Sequence, residues 1–425
     1  MSWTEYPRLG ERVYRKELPC GVQLMVVPRA GFRRKLAYFV TDYGSVHTRY
    51  KLDGQLREAP AGVAHFLEHK VFDLPRGEVS AEFAELGANP NAFTSYDMTA
   101  YFFSCTENFE KCLDLLLEFV SVPYFTEESV AKEQGIIGQE IDMTADAPDS
   151  KVFENLMEAM YGVHPVQVPI LGTRETIAEI TPQVLYDCHR AFYNPENMLL
   201  CVVGDVDPEE VEALAVARLG GEKRPGGEKL RGWDEPMTCL RTEIREEMEV
   251  AMPMFQLGFK CEPLPTGEAG MRGEIVGELA AEALFGESSA LYQKMYEAGI
   301  IDSSFGGGFE TLDGMAMFTA SGDSEDPEAV KEAILEGAKE LLEKGLPEAD
   351  FLRMKRSALG RRIRGLDSFD SICFRLCACA LADFDYFEFP RVYEAVQRQE
   401  LLDFIARVVV PQRCCLSVIE PMKEE

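Results

Sequence analysis

The chain of 425 residues is short of basic residues, histidine and tryptophan, and it has no long apolar run. Lysine and arginine total 43 against 73 aspartates and glutamates, a formal net charge of −30. Long-range repulsion then disfavours nucleic acid and anionic membranes, and no basic stripe offsets it. Basic peptides are favoured partners. No stretch reaches the ~18 apolar residues of a membrane-spanning helix. The opening MSWTEYPRLGERVYRKEL lacks the apolar centre of a secretion signal. The 12 cysteines show no paired CxxC spacing, and many sit in apolar runs, as Cys201 does in MLLCVVGDV. Such thiols are usually buried and reduced, so the expected location is cytoplasmic. Cys373, Cys377 and Cys379 lie in a helix-like stretch, and no second metal site is expected there.

What is present is ample apolar material. Hydrophobic residues make up 46% of the chain. That length and composition point to two domains of roughly 200 residues each. GVQLMVVP (21–28) and KLAYFVTDYG (35–44) read as strands closed by turn residues. PAGVAHFLEHKVF (60–72) and VSAEFAELGA (79–88) read as helices, and 91–105 as a strand. FEKCLDLLLEFVSV (109–122) and 126–146 read as longer helices, the second opening on a threonine cap. NMLLCVVGDVDPEEVEAL (197–214) reads as strand then helix. A Gly/Lys/Pro-rich stretch then breaks the pattern, and the order begins again. EVAMPMFQLGFK (249–260) is strand-like, 273–286 a helix, 305–323 a hairpin and 327–345 a helix. CCLSVIEP (414–421) echoes MLLCVVGDVDP. The expected organisation is an N-terminal domain over 1–220, a linker over 221–245 and a homologous C-terminal domain over 246–425.

The strongest local signal is His65-Phe66-Leu67-Glu68-His69. Histidines at i and i+4 share one helix face with Cβ atoms about 5–6 Å apart. Two imidazoles so placed can reach one ion, and Glu68 leans over the same face, where it can take a proton from water. The competing reading is a surface helix with two satisfied histidines. A catalytic zinc needs a third protein ligand. Glu133 and Glu140 lie two helical turns apart and share a face. One carboxylate can bind the metal while the other supports a ligand. Ile136 and Ile137 between them imply a largely buried helix.

HFLEH, the later ExxxxxxE pair and the intervening NAFTS together resemble the insulinase/pitrilysin family of zinc peptidases. GVQLMVVP, HPVQVPILGTRETIAEIT (164–181) and FYNPENMLLCVVGDVD (192–207) extend the likeness over nearly all of the first half. Among members it is similar to short bacterial chains encoded as gene pairs. The resemblance implies an α+β fold of two homologous half-domains. Each is a mainly antiparallel sheet packed with helices, and together they form half of a clamshell. It makes His65, His69 and Glu140 the ligands of one Zn2+, Glu68 the general base and Glu133 a supporting catalytic glutamate. Asn91, Ala92, Phe93 and Thr94 become the edge strand that binds an extended peptide inside a closed chamber.

The second half departs from that pattern. The family places an arginine and a tyrosine after a small-residue turn and helix. In GESSALYQKMYEAGIIDSSF (286–305), Tyr296 stands at the arginine position and Asp302 or Ser303 at the tyrosine position. An acidic side chain cannot act as the electrophilic donor. The expected assembly is therefore a heterodimer whose homologous partner supplies the Arg/Tyr pair, with a homodimer as the other arrangement. The leading function is a zinc metallo-endopeptidase subunit. A non-catalytic assembly subunit and a zinc hydrolase of small amides are the competing classes. Zinc content and peptide cleavage separate them.

Overall fold

The computed structural model describes residues 3–422. The chain forms two compact units. The first comprises residues up to Ile141, Pro169–Arg231 and Ile363–Glu388. The second comprises Asp142–Val168, Gly232–Arg362 and the chain from Phe389 onward.

The first unit is built on a seven-stranded sheet. Its spatial order is Trp3–Tyr6, Glu11–Glu17, Gln23–Pro28, Met198–Gly204, Lys35–Thr41, Thr99–Cys105 and Asn89–Thr94. The second unit has a five-stranded sheet in the order Glu243–Met248, Cys414–Pro421, Met254–Cys261, Met315–Asp323 and Gly306–Leu312. The five strands from Gln23–Pro28 to Asn89–Thr94 repeat this arrangement. In each sheet the last strand of its half-chain pairs parallel with one neighbour and antiparallel with the other. All other pairings in the two sheets are antiparallel. The expected α+β class, with two homologous and mainly antiparallel units, is what forms.

MLLCVVG is apolar throughout because both of its faces are covered. Leu200 and Val202 belong to one core with Phe39, Phe66 and Leu116. The other face carries Cys201, whose carbonyl lies 3.9 Å from the Cys373 thiol on the helix Phe369–Leu381. That helix comes from the C-terminal half of the chain, yet it packs on Met198–Gly204 and Lys35–Thr41. The reverse exchange occurs in the second unit. Pro148–Met160 packs on Met254–Cys261 and Cys414–Pro421. Gly258 admits it, since a Cβ there would lie 2.5 Å from the Met160 sulfur. The compact units therefore do not follow the linear division 1–220, 221–245 and 246–425. An amphipathic helix docks on whichever sheet offers an uncovered apolar face, and chain order does not encode that choice.

The Gly-rich stretch is also docked. Glu228–Lys229 pairs with Lys51 and Tyr50, and the Gly227 N–H donates to Ala191 O at 2.8 Å. The single strand expected over 91–105 is a hairpin instead. Asn89–Thr94 and Thr99–Cys105 are joined by a turn in which Ser95 N–H donates to Met98 O at 2.8 Å. The Ser95 hydroxyl accepts from the Asp97 and Met98 N–H groups, and such side-chain bonds favour a turn over a continuing strand. Among the described residues, no helix is long and apolar enough to cross a membrane.

Candidate metal centre

The HFLEH segment lies on a short helix, Val63–Lys70, that buries Val63, Ala64, His65, Phe66, Leu67 and Lys70. Its start depends on two glycines. Gly62 has φ 92°, and a Cβ there would sit 2.5 Å from Leu171 O. Gly172 has φ 73°, and a Cβ there would sit 2.5 Å from Ala61 O. Two backbones thus meet where side chains cannot fit. Gly172→Ala is expected to cost about 1–3 kcal/mol. Chemical denaturation should show a lower midpoint with an unchanged slope.

The helix Glu127–Ala145 supplies the two glutamates. Thr126 caps it reciprocally: Ser129 N–H donates to Thr126 Oγ1 at 3.1 Å, and Thr126 N–H to Ser129 Oγ at 3.2 Å. This helix is not largely buried. Ile137 is buried, but Ile136 is 43% exposed, and only Val130, Ile137 and Gly138 are fully covered. The two isoleucines point apart because neighbours on a helix differ by about 100°. Glu133 is more enclosed than Glu140, whose side chain is 41% exposed.

The two helices bring the candidate residues together. Glu140 Oε1 lies 3.7 Å from His65 Nε2, and Glu140 Oε2 lies 3.8 Å from His69 Nε2. Ligand atoms of His65, His69 and Glu140 all fall within 4.8 Å of one another. Among the described residues no other such group of His, Cys, Asp or Glu occurs. Bonds of about 2.0–2.1 Å place neighbouring tetrahedral donors roughly 3.3 Å apart. The two contacts of Glu140 with the histidines are within a few tenths of an ångström of that spacing, and two imidazoles with a carboxylate suit zinc. Glu133 faces the other side of His69, with Oε1 3.0 Å from Nδ1. Its Oε2 lies 3.8 Å from the buried Lys70 ammonium, which also pairs with Asp73. Glu133 therefore orients the His69 ring and leaves its Nε2 facing Glu140. His65 Nδ1 is buried, with no hydrogen-bond partner among the described residues.

The electrostatics separate the roles. Burial, with some help from the His69 charge, pulls His65 down to about 3, so it is a neutral donor near pH 7. Burial also pulls on His69, but the Glu133 hydrogen bond and the charges of Glu133, Glu68 and Glu140 outweigh it and raise the pKa. Burial raises Glu68, against the opposing Thr94 hydrogen bond. A carboxylate raised in this way is a better proton acceptor than a solvated one.

Known proteins similar to this chain were found at both sequence and structure level. The family "Insulinase (Peptidase family M16)" matches residues 53–174, and "Peptidase M16 inactive domain" matches 179–358. The uncharacterized zinc protease YmfH of Bacillus subtilis is 36% identical over 98% of this chain and 98% of its own. The chain belongs to the M16 insulinase family of peptidases. A crystal structure described as an M16-like peptidase from Alicyclobacillus acidocaldarius superposes with a TM-score of 0.93. It is 30% identical over 99% of this chain and 100% of that one. Pitrilysin shares the fold at 16% identity and a TM-score of 0.79, over 97% of this chain and 45% of its own.

The other residues expected to act in this M16 chain lie on the strand Asn89–Thr94, at the open edge of the seven-stranded sheet. Asn91 Oδ1 accepts the Ala92 N–H at 2.9 Å. Phe93 points to the face opposite Ala92 and Thr94, its ring 6.0 Å from that of Phe374. Thr94 does something the sequence did not reveal: its hydroxyl donates to Glu68 Oε2 at 2.6 Å. Period-two alternation puts Ala92 and Thr94 on one face of the strand, but nothing local says that Glu68 lies over that face. Gly62, Gly172 and Lys70 were also missed. The positive φ of both glycines would have been a cue had the contact between 61–62 and 171–172 been known.

In the second unit, Tyr296 is 54% exposed at the end of the helix Ala290–Glu297 and stacks on Tyr292. Asp302 accepts the Ser304 N–H at 2.7 Å, and hydrogen bonds from Ser304 hold its carboxyl below the usual range. Tyr296, expected at the arginine position, is thus an exposed phenol, and Asp302, one of the two residues expected at the tyrosine position, is a stabilised anion.

Proposed function

We propose that the chain is a zinc-dependent metallo-endopeptidase subunit that hydrolyses peptides held as an extended strand. The observation that carries this reading is the convergence of His65, His69 and Glu140, with Glu68 held by the open edge strand. When bound, zinc polarises a peptide carbonyl and brings the pKa of a coordinated water near 7. The chain's own residues do the rest. His65, His69 and Glu140 hold the ion, and Glu133 fixes the His69 ring. Glu68 receives the water proton and returns it to the leaving amine. The backbone of Asn91–Thr94 aligns the substrate, and the Asn91 side chain must yield the Ala92 N–H for a peptide to pair there.

Tyr296 and Asp302 favour an assembly in which a homologous partner supplies an arginine and a tyrosine. The alternative, a non-catalytic assembly subunit, is favoured by the "inactive domain" match over 179–358. The complete set of His65, Glu68, His69, Glu133 and Glu140 weighs against it. Metal analysis and cleavage of unstructured peptides decide the matter, using the chain alone and with a homologous chain bearing the Arg/Tyr pair. Stoichiometric zinc with cleavage by the pair supports the proposal. A chain without stoichiometric zinc supports the assembly role, and full activity alone removes the need for a partner.

Glu140→Ala should weaken zinc binding more than Glu133→Ala. The latter should cost roughly 10–100-fold in affinity, the usual effect of losing a partner of a ligand. Chelator competition measures both, and the reverse order would exchange the two roles.

A further inference from the structure

We propose that Thr94 is a positioning residue that ties peptide binding on the strand edge to the orientation of Glu68. This rests on the peptidase reading above.

The register carries the argument. Antiparallel pairs alternate between hydrogen-bonded and non-hydrogen-bonded residues. Ser95 bonds to Met98 across the turn, so Phe93 with Ala100 and Asn91 with Phe102 are the next bonded pairs. The backbones of Pro90, Ala92 and Thr94 then face away from the sheet. Two independent features agree. Pro90 has no N–H to leave unpaired, and the Ala92 N–H is taken by the Asn91 side chain rather than by the neighbouring strand. Thr94 therefore turns its backbone toward this edge, where its N–H also faces the Glu68 carboxylate and its carbonyl is presented to any peptide that adds there.

Its side chain serves a second purpose. The hydroxyl donates to Glu68 Oε2 at 2.6 Å, and among the described residues no other residue hydrogen-bonds that carboxylate. Threonine is β-branched and stiff at χ1, so the direction of its hydroxyl follows the strand backbone. A peptide that orders the edge at Thr94 thereby also orders Glu68. A misplacement of about 1 Å at a reacting group can cost roughly 100-fold in rate.

The test uses full-length protein, with the partner chain if activity requires it. Zinc content, kcat and KM are measured on an internally quenched unstructured peptide. Thr94→Val keeps the shape and removes the hydroxyl. It should lower kcat about 10–100-fold, with zinc content unchanged and KM within about threefold. Thr94→Ser keeps the hydroxyl and should recover most of kcat. A merely structural role would move zinc content or KM, and would not discriminate serine from valine. Wild-type kcat in Thr94→Val, or equal losses in valine and serine, would overturn the proposal. Failure of the peptidase reading looks different, because the wild type itself would then not cleave.

Discussion

Glu68→Gln should retain zinc at the wild-type level and lose about 10²–10⁴-fold in peptide turnover, the usual contribution of a general base. Glutamine has nearly the same shape and keeps an oxygen that can accept from Thr94, so the link between helix and strand survives. The group that takes a proton is gone. The side chains of His65, His69 and Glu140 remain in place, and the Glu133–His69 contact is untouched. The paired measurement matters because each half alone is ambiguous. Lost activity with lost zinc would mean a damaged site. Retained turnover with retained zinc would remove Glu68 from the proton-transfer role and leave the hydrolysis without a named base.

His65→Ala should lose both metal and activity, and the metal loss should exceed the roughly 10–100-fold expected for a supporting residue such as Glu133. His65 and His69 each face one oxygen of Glu140, so deleting His65 leaves one imidazole and one half-exposed carboxylate. Two donors fall short of the three that catalytic zinc sites use. His65 also differs from His69 in having no partner on its other nitrogen among the described residues. Its neutral form follows chiefly from burial rather than from a fixing hydrogen bond. Exogenous imidazole diffusing into the vacated space offers a control, since partial rescue of zinc retention would place the lost donor at this position. Metal analysis after dialysis against a weak chelator, with circular dichroism to check the fold, measures the outcome. Full zinc occupancy in the variant would strike His65 from the ligand set.

These two expectations depend on different parts of the sequence's legibility. His65 and His69 can be paired on paper because i and i+4 on a helix are neighbours whatever surrounds them. Glu133 and Glu140 share a face for the same reason. Their assignment needed three dimensions. Only the packing of Glu127–Ala145 against Val63–Lys70 puts Glu133 at His69 Nδ1 and Glu140 at both Nε2 atoms. Ile136 shows the limit from the other side, because an apolar residue between two glutamates that face the candidate site is not thereby buried.

By itself, then, the sequence determined the helix face shared by His65 and His69, the acidic character that disfavours nucleic acid, much of the strand and helix order, and the internal repeat. Each is a local pattern or a recurrence of one along the chain. The tertiary structure decided which helix covers which sheet, that residues 91–105 turn back as a hairpin, and that Thr94 holds Glu68. Those depend on contacts between segments far apart in the chain. Such contacts are selected by which apolar faces remain uncovered and which polar groups remain unpaired, and neither is written in any one segment.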